Sequence, residues 1–387
     1  SRRIDSVSYP QFFAEDGTVW FADAYNLGWF RSLLVPYAGY MVTFPRLAAA
    51  LALSVPFENA PLIMNAFGIV AQALPVVFLM SSRCSKWGSP LFRGALALLY
   101  LLLPNASEIH VTVTNAQWHL ALLAALIVIA ERARTLSWRI FDIVLLLLCG
   151  LTGPFCILLT PLAARVDWKA RERSRLIHVV ILTAASVTQA TVLWQFEPSR
   201  PAVPLAATIE RFISLCSGHV FLGAIIGPNI TPRKASPYLL GLVFLGGGAF
   251  MGYCLAKATL EWKFLIVFCG LVLSCSLAKP FVKGGSAPAW VVLETVPGIR
   301  YWFLPSLAFA WSLLWCASHA HSRSIKIAAS AALIAMCFGM ALNYRIRPYQ
   351  NLKFQQVAAQ FDRTPDGSAF VIPSNPSGWV LRLIKHK

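Results

Sequence analysis

From Asn59 to Ser82 the chain carries no charged side chain. That run exceeds the roughly 20 apolar residues a helix needs to cross a bilayer, and it is the first of a series. Trp118 to Ala130, Phe141 to Ala164, Leu176 to Trp194, Tyr238 to Ala256, Phe264 to Ala278, Tyr301 to Ser318 and Ile327 to Leu342 follow, with Gly94 to Pro104 as a shorter member. In hydrocarbon each backbone N–H and C=O must be satisfied within the protein, and helices do this segment by segment. The expectation is therefore an all-α, polytopic transmembrane bundle. Composition agrees: 57% of the 387 residues are hydrophobic and 13% charged, where a soluble chain carries roughly 25% charge. No hydrophilic block is long enough to form a separate soluble domain.

The formal charge of +17 does not point to nucleic acid, because the basic residues sit in short loops between apolar runs. Such loops are cytoplasmic in membrane proteins. RCSKWGSPLFR, with Arg83, Lys86 and Arg93 and no acid, follows the first span and places residues 1–58 outside. ERARTLSWR and RVDWKARERSR both read as inside, so the run between them must turn back, and GLTGPF (Gly150 to Phe155) is where two half-helices would meet. Phe212 to Ile226 fits the alternation only if it lies at the outer interface or re-enters there. Three regions result: an external, interfacial loop over 1–58, a bundle over 59–342 with about 9 to 11 membrane helices including half-helices, and an external tail over 343–387. The chain opens at Ser1 rather than Met, which is consistent with an apolar segment upstream.

The stretch from Phe12 to Leu47 is too interrupted by glycine, proline and arginine to span, and too aromatic for a free loop. It reads as a segment folded on the membrane interface, where Trp and Tyr rings are at home. Within it lie Glu15, Asp16 and Asp23, in a chain poor in acids. Adjacent carboxylates on a non-helical backbone point in different directions, so one can face a cavity while the other anchors a neighbour. One of them suits a general base, and the duller alternative is a helix cap or ion pair. Asp23, seven residues after Asp16, would assist, share a metal with Asp16 or pair with Arg31. Arg300 in GIRYWFLP, and less strongly Arg46, Lys279 and Lys283, are candidates for a phosphate group, since guanidinium recognises phosphate bidentately. Tyr301 lies beside Arg300. His110, Asn115, Gln117, Trp118 and His119 cluster at the mouth of two spans and could bind a sugar, or simply cap a helix end. The nine cysteines include no CxxC pair, and neither a Walker loop, a GxSxG elbow nor an HExxH motif occurs.

FFAEDG, PYAGYMVTFPRLAA, NAQWHLAL, GLTGPF, RYWFLP and IPSNPSGW, in this order, resemble bacterial members of the GT-C superfamily of polytopic glycosyltransferases. The likeness spans nearly the whole chain, though each motif alone is loose. It implies a GT-C type bundle in a bacterial inner membrane, with the active site facing the periplasm or exterior. It also implies a sugar donor linked to polyprenyl phosphate and a glycan, lipid or protein acceptor. Asp16 or Glu15 would be the base and a basic residue such as Arg300 would hold the donor phosphate. No cofactor is expected and a divalent metal is not favoured. The rival expectations are a lipid-linked sugar flippase or transporter, and an enzyme like the O-antigen ligases and polymerases.

Overall fold

The computed structural model describes residues 2–170, 173–196, 203–228, 235–281, 287–295 and 300–386. Among these, ten helices run between the two ends of a bundle: Ala60–Met80, Pro90–Leu102, Ala116–Ile129, Leu136–Gly150, Phe155–Ala170, Arg173–Phe196, Pro237–Lys257, Leu260–Ala278, Phe303–His319 and Arg323–Leu342. Six helical stretches are long and apolar enough to cross a membrane. Position in the bundle follows side-chain distribution. Ala116–Ile129 is apolar on nearly every side and buries all its residues, as a central helix must. Pro237–Lys257 buries only Leu240 and Cys254 and forms part of the rim.

Hydrogen bonds from single polar side chains tie the core helices together. Tyr100 Oη donates to the Gln72 carbonyl (2.9 Å) and lies 2.6 Å from His119 Nδ1, joining three helices. Trp311 Nε1 donates to the Leu96 carbonyl at 2.9 Å. At one end, Trp87 packs against Trp262 and Trp311, and Phe92 against His319. The residue 1–58 loop covers the opposite end.

The turn at GLTGPF is as the charges required. One helix stops at Gly150, the next starts at Phe155, and Gly153 takes φ 92°. The turn sits at the first-loop end, where the fully buried Gln189 holds it. Gln189 Nε2 donates to the carbonyls of Gly150 and Gly153, and Oε1 accepts from Met41 N. Ile209–Ile226 has both termini at this same end. Arg211 pairs with Glu294 at 3.7 Å, and Asn343 Nδ2 donates to the Ile226 carbonyl at 3.1 Å. Both ends of this stretch, one of the six long and apolar enough to cross a membrane, thus bond to other segments, at Glu294 and Asn343.

Two features depart from expectation. The tail is not purely helical: Phe354–Asp362 is followed by an antiparallel hairpin of Ala369–Ser374 and Trp379–Ile384. The alternation in FVIPS and WVLRLI is the two-residue period of a half-buried strand, and Ile372, Ser374, Leu381 and Leu383 are its buried members. The hairpin docks on the first loop, where Asn26 bonds the backbone of Arg382 and Ile384. The second departure is an ionisable group inside the apolar run from Phe141 to Ala164. Asp142 is fully buried there, paired with Arg83.

The first loop consists of short helices. A π-helical turn at Asp16–Phe21 leads into Ala22–Leu27, Trp29–Leu33 and Thr43–Ala52. Trp29, Phe30 and Leu34 are exposed, as are Leu47 and Leu51 on one face of the last helix, whose other face buries Phe44, Ala48 and Ala52. An amphipathic element with Trp, Phe and Leu outward is the form an interfacial segment takes.

Candidate functional site

Asp16 opens the π-helical turn. Such turns are rare and concentrate at functional positions. The backbone there is under local constraint. Ala14 takes φ 44°, a left-handed conformation uncommon for a residue with a Cβ. A Cβ on Gly17 would lie 2.7 Å from Phe12 Cβ, so only glycine lets the turn close. The result aims two adjacent carboxylates differently.

Asp16 is 1% exposed. Its Oδ1 accepts from Thr114 N (2.9 Å), Thr114 Oγ1 (2.6 Å) and Thr112 Oγ1 (3.2 Å). Its Oδ2 is buried and has no hydrogen-bond partner. Burial pushes the carboxyl up to about 7, against the pull of the threonine hydrogen bonds. Thr114 Oγ1 in turn accepts from Trp20 Nε1 at 2.9 Å, and the Arg46 guanidinium lies over Trp20. Glu15 is half-buried and turned to the other side, where Tyr37 Oη donates to its Oε1 at 3.0 Å. Burial and then Glu15 raise the Tyr37 phenol, which stays protonated as a donor.

Arg300 is the cation on that side. Its Nη1 and its backbone N–H bind the two oxygens of Glu108, at 2.7 and 2.8 Å. Burial alone would lower its pKa, but Glu108, Tyr301, Tyr40 and Glu15 reverse this and keep the guanidinium charged. Arg300, Tyr301, Tyr40 and Lys279 stand at the polar side of a cavity of about 310 Å³, whose remaining wall includes Ile157, Leu158 and Val272. Gln117 and Trp118 also line it, and both Gln117 Oε1 and Trp118 Nε1 are buried without a hydrogen-bond partner. Buried polar groups are nearly always satisfied, so these two atoms mark where a ligand's polar groups would sit. The Trp118 ring is fixed edge-on by Phe155 and Tyr301.

The structure separates the remaining candidates. Asp23 pairs with Arg46, not Arg31, at 3.0 Å. Arg46 is buried against Trp20, where burial lowers its pKa against the opposing Asp23 charge, and it does not line the cavity. Asp23 and Asp16 are thus separately engaged. His110 lies between Gln72 and Arg2, its imidazole held well below its ordinary pKa by burial and then by Arg2. His119 is bonded to Tyr100 and the Ile109 carbonyl. Asn115 Nδ2 donates to the Glu108 carbonyl. Lys283 lies outside the described residues. Among the described residues no cluster of three His, Cys, Asp or Glu could hold a metal ion.

Sequence reasoning missed Tyr37 and Tyr40, which flank the tight turn of PYAGY and exchange backbone hydrogen bonds of 3.0 and 3.1 Å. It also missed Tyr349. This tail residue stacks on Phe13 (4.8 Å between rings), lies under the Arg3 guanidinium and is within electrostatic reach of Asp16. The two tyrosines bracketing Ala38-Gly39 were a usable signal, but nothing local marked Tyr349.

No family model, curated protein or solved structure matches this chain.

Proposed function

We propose that this chain is a membrane glycosyltransferase, moving a sugar from a polyprenyl-phosphate donor to a hydroxyl acceptor at the membrane's outer face. The observation that carries the reading is a half-apolar cavity whose polar side, with Arg300 and Lys279, is within electrostatic reach of Glu15, next in the chain to the buried Asp16. A lipid phosphate fits that cavity in both of its parts. Its anion would meet Arg300 and Lys279, and its chain would follow Ile157, Leu158 and Val272.

In this reading the acceptor oxygen attacks the anomeric carbon as the bond from that carbon to the donor phosphate breaks. The acceptor proton passes to Asp16 Oδ2, the lipid phosphate leaves with the electron pair, and configuration inverts. Asp16 suits the base role because one oxygen is uncommitted and its pKa lies near working pH. Glu15 orients Tyr37, and Glu108, with a smaller part from Glu15, balances the charge of Arg300. Since Asp16 is closed from water, the acceptor reaches it only as a neighbouring segment shifts. Gln117 and Trp118 would receive the sugar.

The test is transfer of radiolabelled sugar from a panel of polyprenyl-phosphate donors, in membranes carrying the wild type, Asp16→Asn, Glu15→Gln or Arg300→Ala. Transfer abolished by Asp16→Asn and reduced by the other two is the expected result. No transfer with any donor, together with movement of lipid-linked sugar between leaflets, would replace the enzyme by a flippase.

A further inference from the structure

At the bundle end away from the first loop, Arg83, Asp142 and His178 converge. Arg83 Nη1 and Nη2 bind Asp142 Oδ1 and Oδ2 at 3.0 and 2.9 Å, and its Nε donates to the Glu131 carbonyl. His178 Nε2 lies 3.3 Å from Asp142 Oδ2. Asp142 is 0% exposed and Arg83 4%, and the guanidinium lies beside the rings of Phe78 and Trp138. This fixed cluster forms the floor of a second cavity, of about 270 Å³, walled also by Arg132 and Arg139.

The charges there do not cancel. Asp142 is committed to Arg83 and His178, and Glu131 accepts from Ser85 Oγ. Arg132 and Arg139 are exposed, and among the described residues neither has an ion-pair partner. With Arg83, Arg132 and Arg139 against Asp142 and Glu131 in its lining, the cavity carries a net positive charge over a rigid floor. Part of its wall is apolar: Ile143 and Ile177 line it, and Ile140, Val144 and Val180 are exposed side chains on the same two helices. A soluble anion would have no use for that strip, whereas acyl chains would lie along it.

We propose that this cavity binds the headgroup of an anionic phospholipid, with the phosphate between Arg132 and Arg139 and the acyl chains on Ile140, Val144, Ile177 and Val180. Basic pockets between membrane helices on the cytoplasmic side take such headgroups, and the loops at this end are the basic ones. The site is separate from the donor cavity, and its occupation would clamp the turn following Ala60–Met80 to the start of Leu136–Gly150.

The test uses the full chain in mild detergent, titrated with short-chain phosphatidylglycerol, short-chain phosphatidylcholine or inorganic phosphate, and read by tryptophan fluorescence. Saturable binding of phosphatidylglycerol is expected. It should weaken about thirtyfold in Arg132→Ala/Arg139→Ala, the worth of two basic contacts. A control pair, Lys257→Ala/Arg323→Ala, removes the same charge from the same end and should change affinity less than twofold. Ile177→Glu, which blocks the tail strip but leaves both arginines, should also weaken binding. Equal binding by wild type and Arg132→Ala/Arg139→Ala would overturn the proposal. So would equal weakening by the control pair, or phosphate alone binding as tightly as the lipid.

Discussion

Asp16→Asn separates a buried, proton-holding carboxyl from an ordinary surface acid without any assumption about substrate. Burial raises the Asp16 carboxyl from 3.8 to about 7. Below pH 4 the group is protonated in both folded and unfolded chains. Between 4 and 7 the folded chain holds a proton that the unfolded chain has released, so each rise in pH favours unfolding. Above 7 both forms are charged and the loss is complete. One pH unit of difference is worth about 1.4 kcal/mol, so the whole loss is of order 4 kcal/mol, with about 3 kcal/mol of it between pH 5 and pH 8. Asparagine does not titrate. Its carbonyl can accept from Thr112 and Thr114, while its amide replaces the unpartnered Oδ2 at a fixed cost of about 1 to 3 kcal/mol. That cost is the same at every pH. The stability difference, wild type minus variant, should therefore fall by about 3 kcal/mol from pH 5 to pH 8 and level above 7. Denaturant unfolding in mild detergent, followed by tryptophan fluorescence, reads it directly, since other titrating groups cancel between the two proteins. A difference flat to within about 0.5 kcal/mol would refute the buried, raised carboxyl and with it the case for Asp16 as a base at neutral pH.

The other expectations concern the cavity, its support and the far cluster. Transfer by the wild type should rise with pH through about 7 as Asp16 loses its proton, and a rate independent of pH from 5.5 to 8.5 would remove it from the role. Arg300→Lys keeps the charge but loses the fork geometry toward phosphate. Apparent donor affinity should fall about tenfold to a hundredfold with a smaller change in maximal rate, measured by donor titration. Gly153→Ala combines φ 92° with a Cβ 2.5 Å from Gln117 Oε1, so it should cost about 1 to 3 kcal/mol and displace Gln117, seen as a lower melting temperature and weaker donor binding. Asp142→Leu leaves Arg83 buried and uncompensated and should cost about 3 to 5 kcal/mol, while Arg83→Met/Asp142→Leu should recover most of it. An additive double variant would contradict the pairing.

The bundle was legible because hydrocarbon allows few structures. Once Asn59 to Ser82 was a span, the basic loops at Arg83 and Arg132 fixed which ends met, and the conflict around Phe141 to Ala164 located the turn at Gly150. The tail hairpin was overlooked although FVIPS and WVLRLI alternate, because six-residue strands give a much weaker signal than a membrane helix does. Within the site, the division between Glu15 and Asp16 was foreseen, but for a non-helical backbone, whereas Glu15 has right-handed helical angles and Asp16 opens a π-helical turn. That Gln117 and Trp118 share a cavity with Phe155 was not legible, since a distant turn delivers Phe155. Asp142 shows the limit most clearly. Its partners lie at positions 83 and 178, on two other segments of the bundle, and in sequence it is a lone acid in an apolar run. A buried charge demands a partner, but a single sequence says only that one exists. The same holds at the first-loop end, where Glu15 and the arginine within electrostatic reach of it lie far apart in the chain. Local pattern sets the helices, whereas the chemistry arises where Tyr37, Glu15, Glu108 and Arg300 are brought into contact by packing that no window of sequence contains.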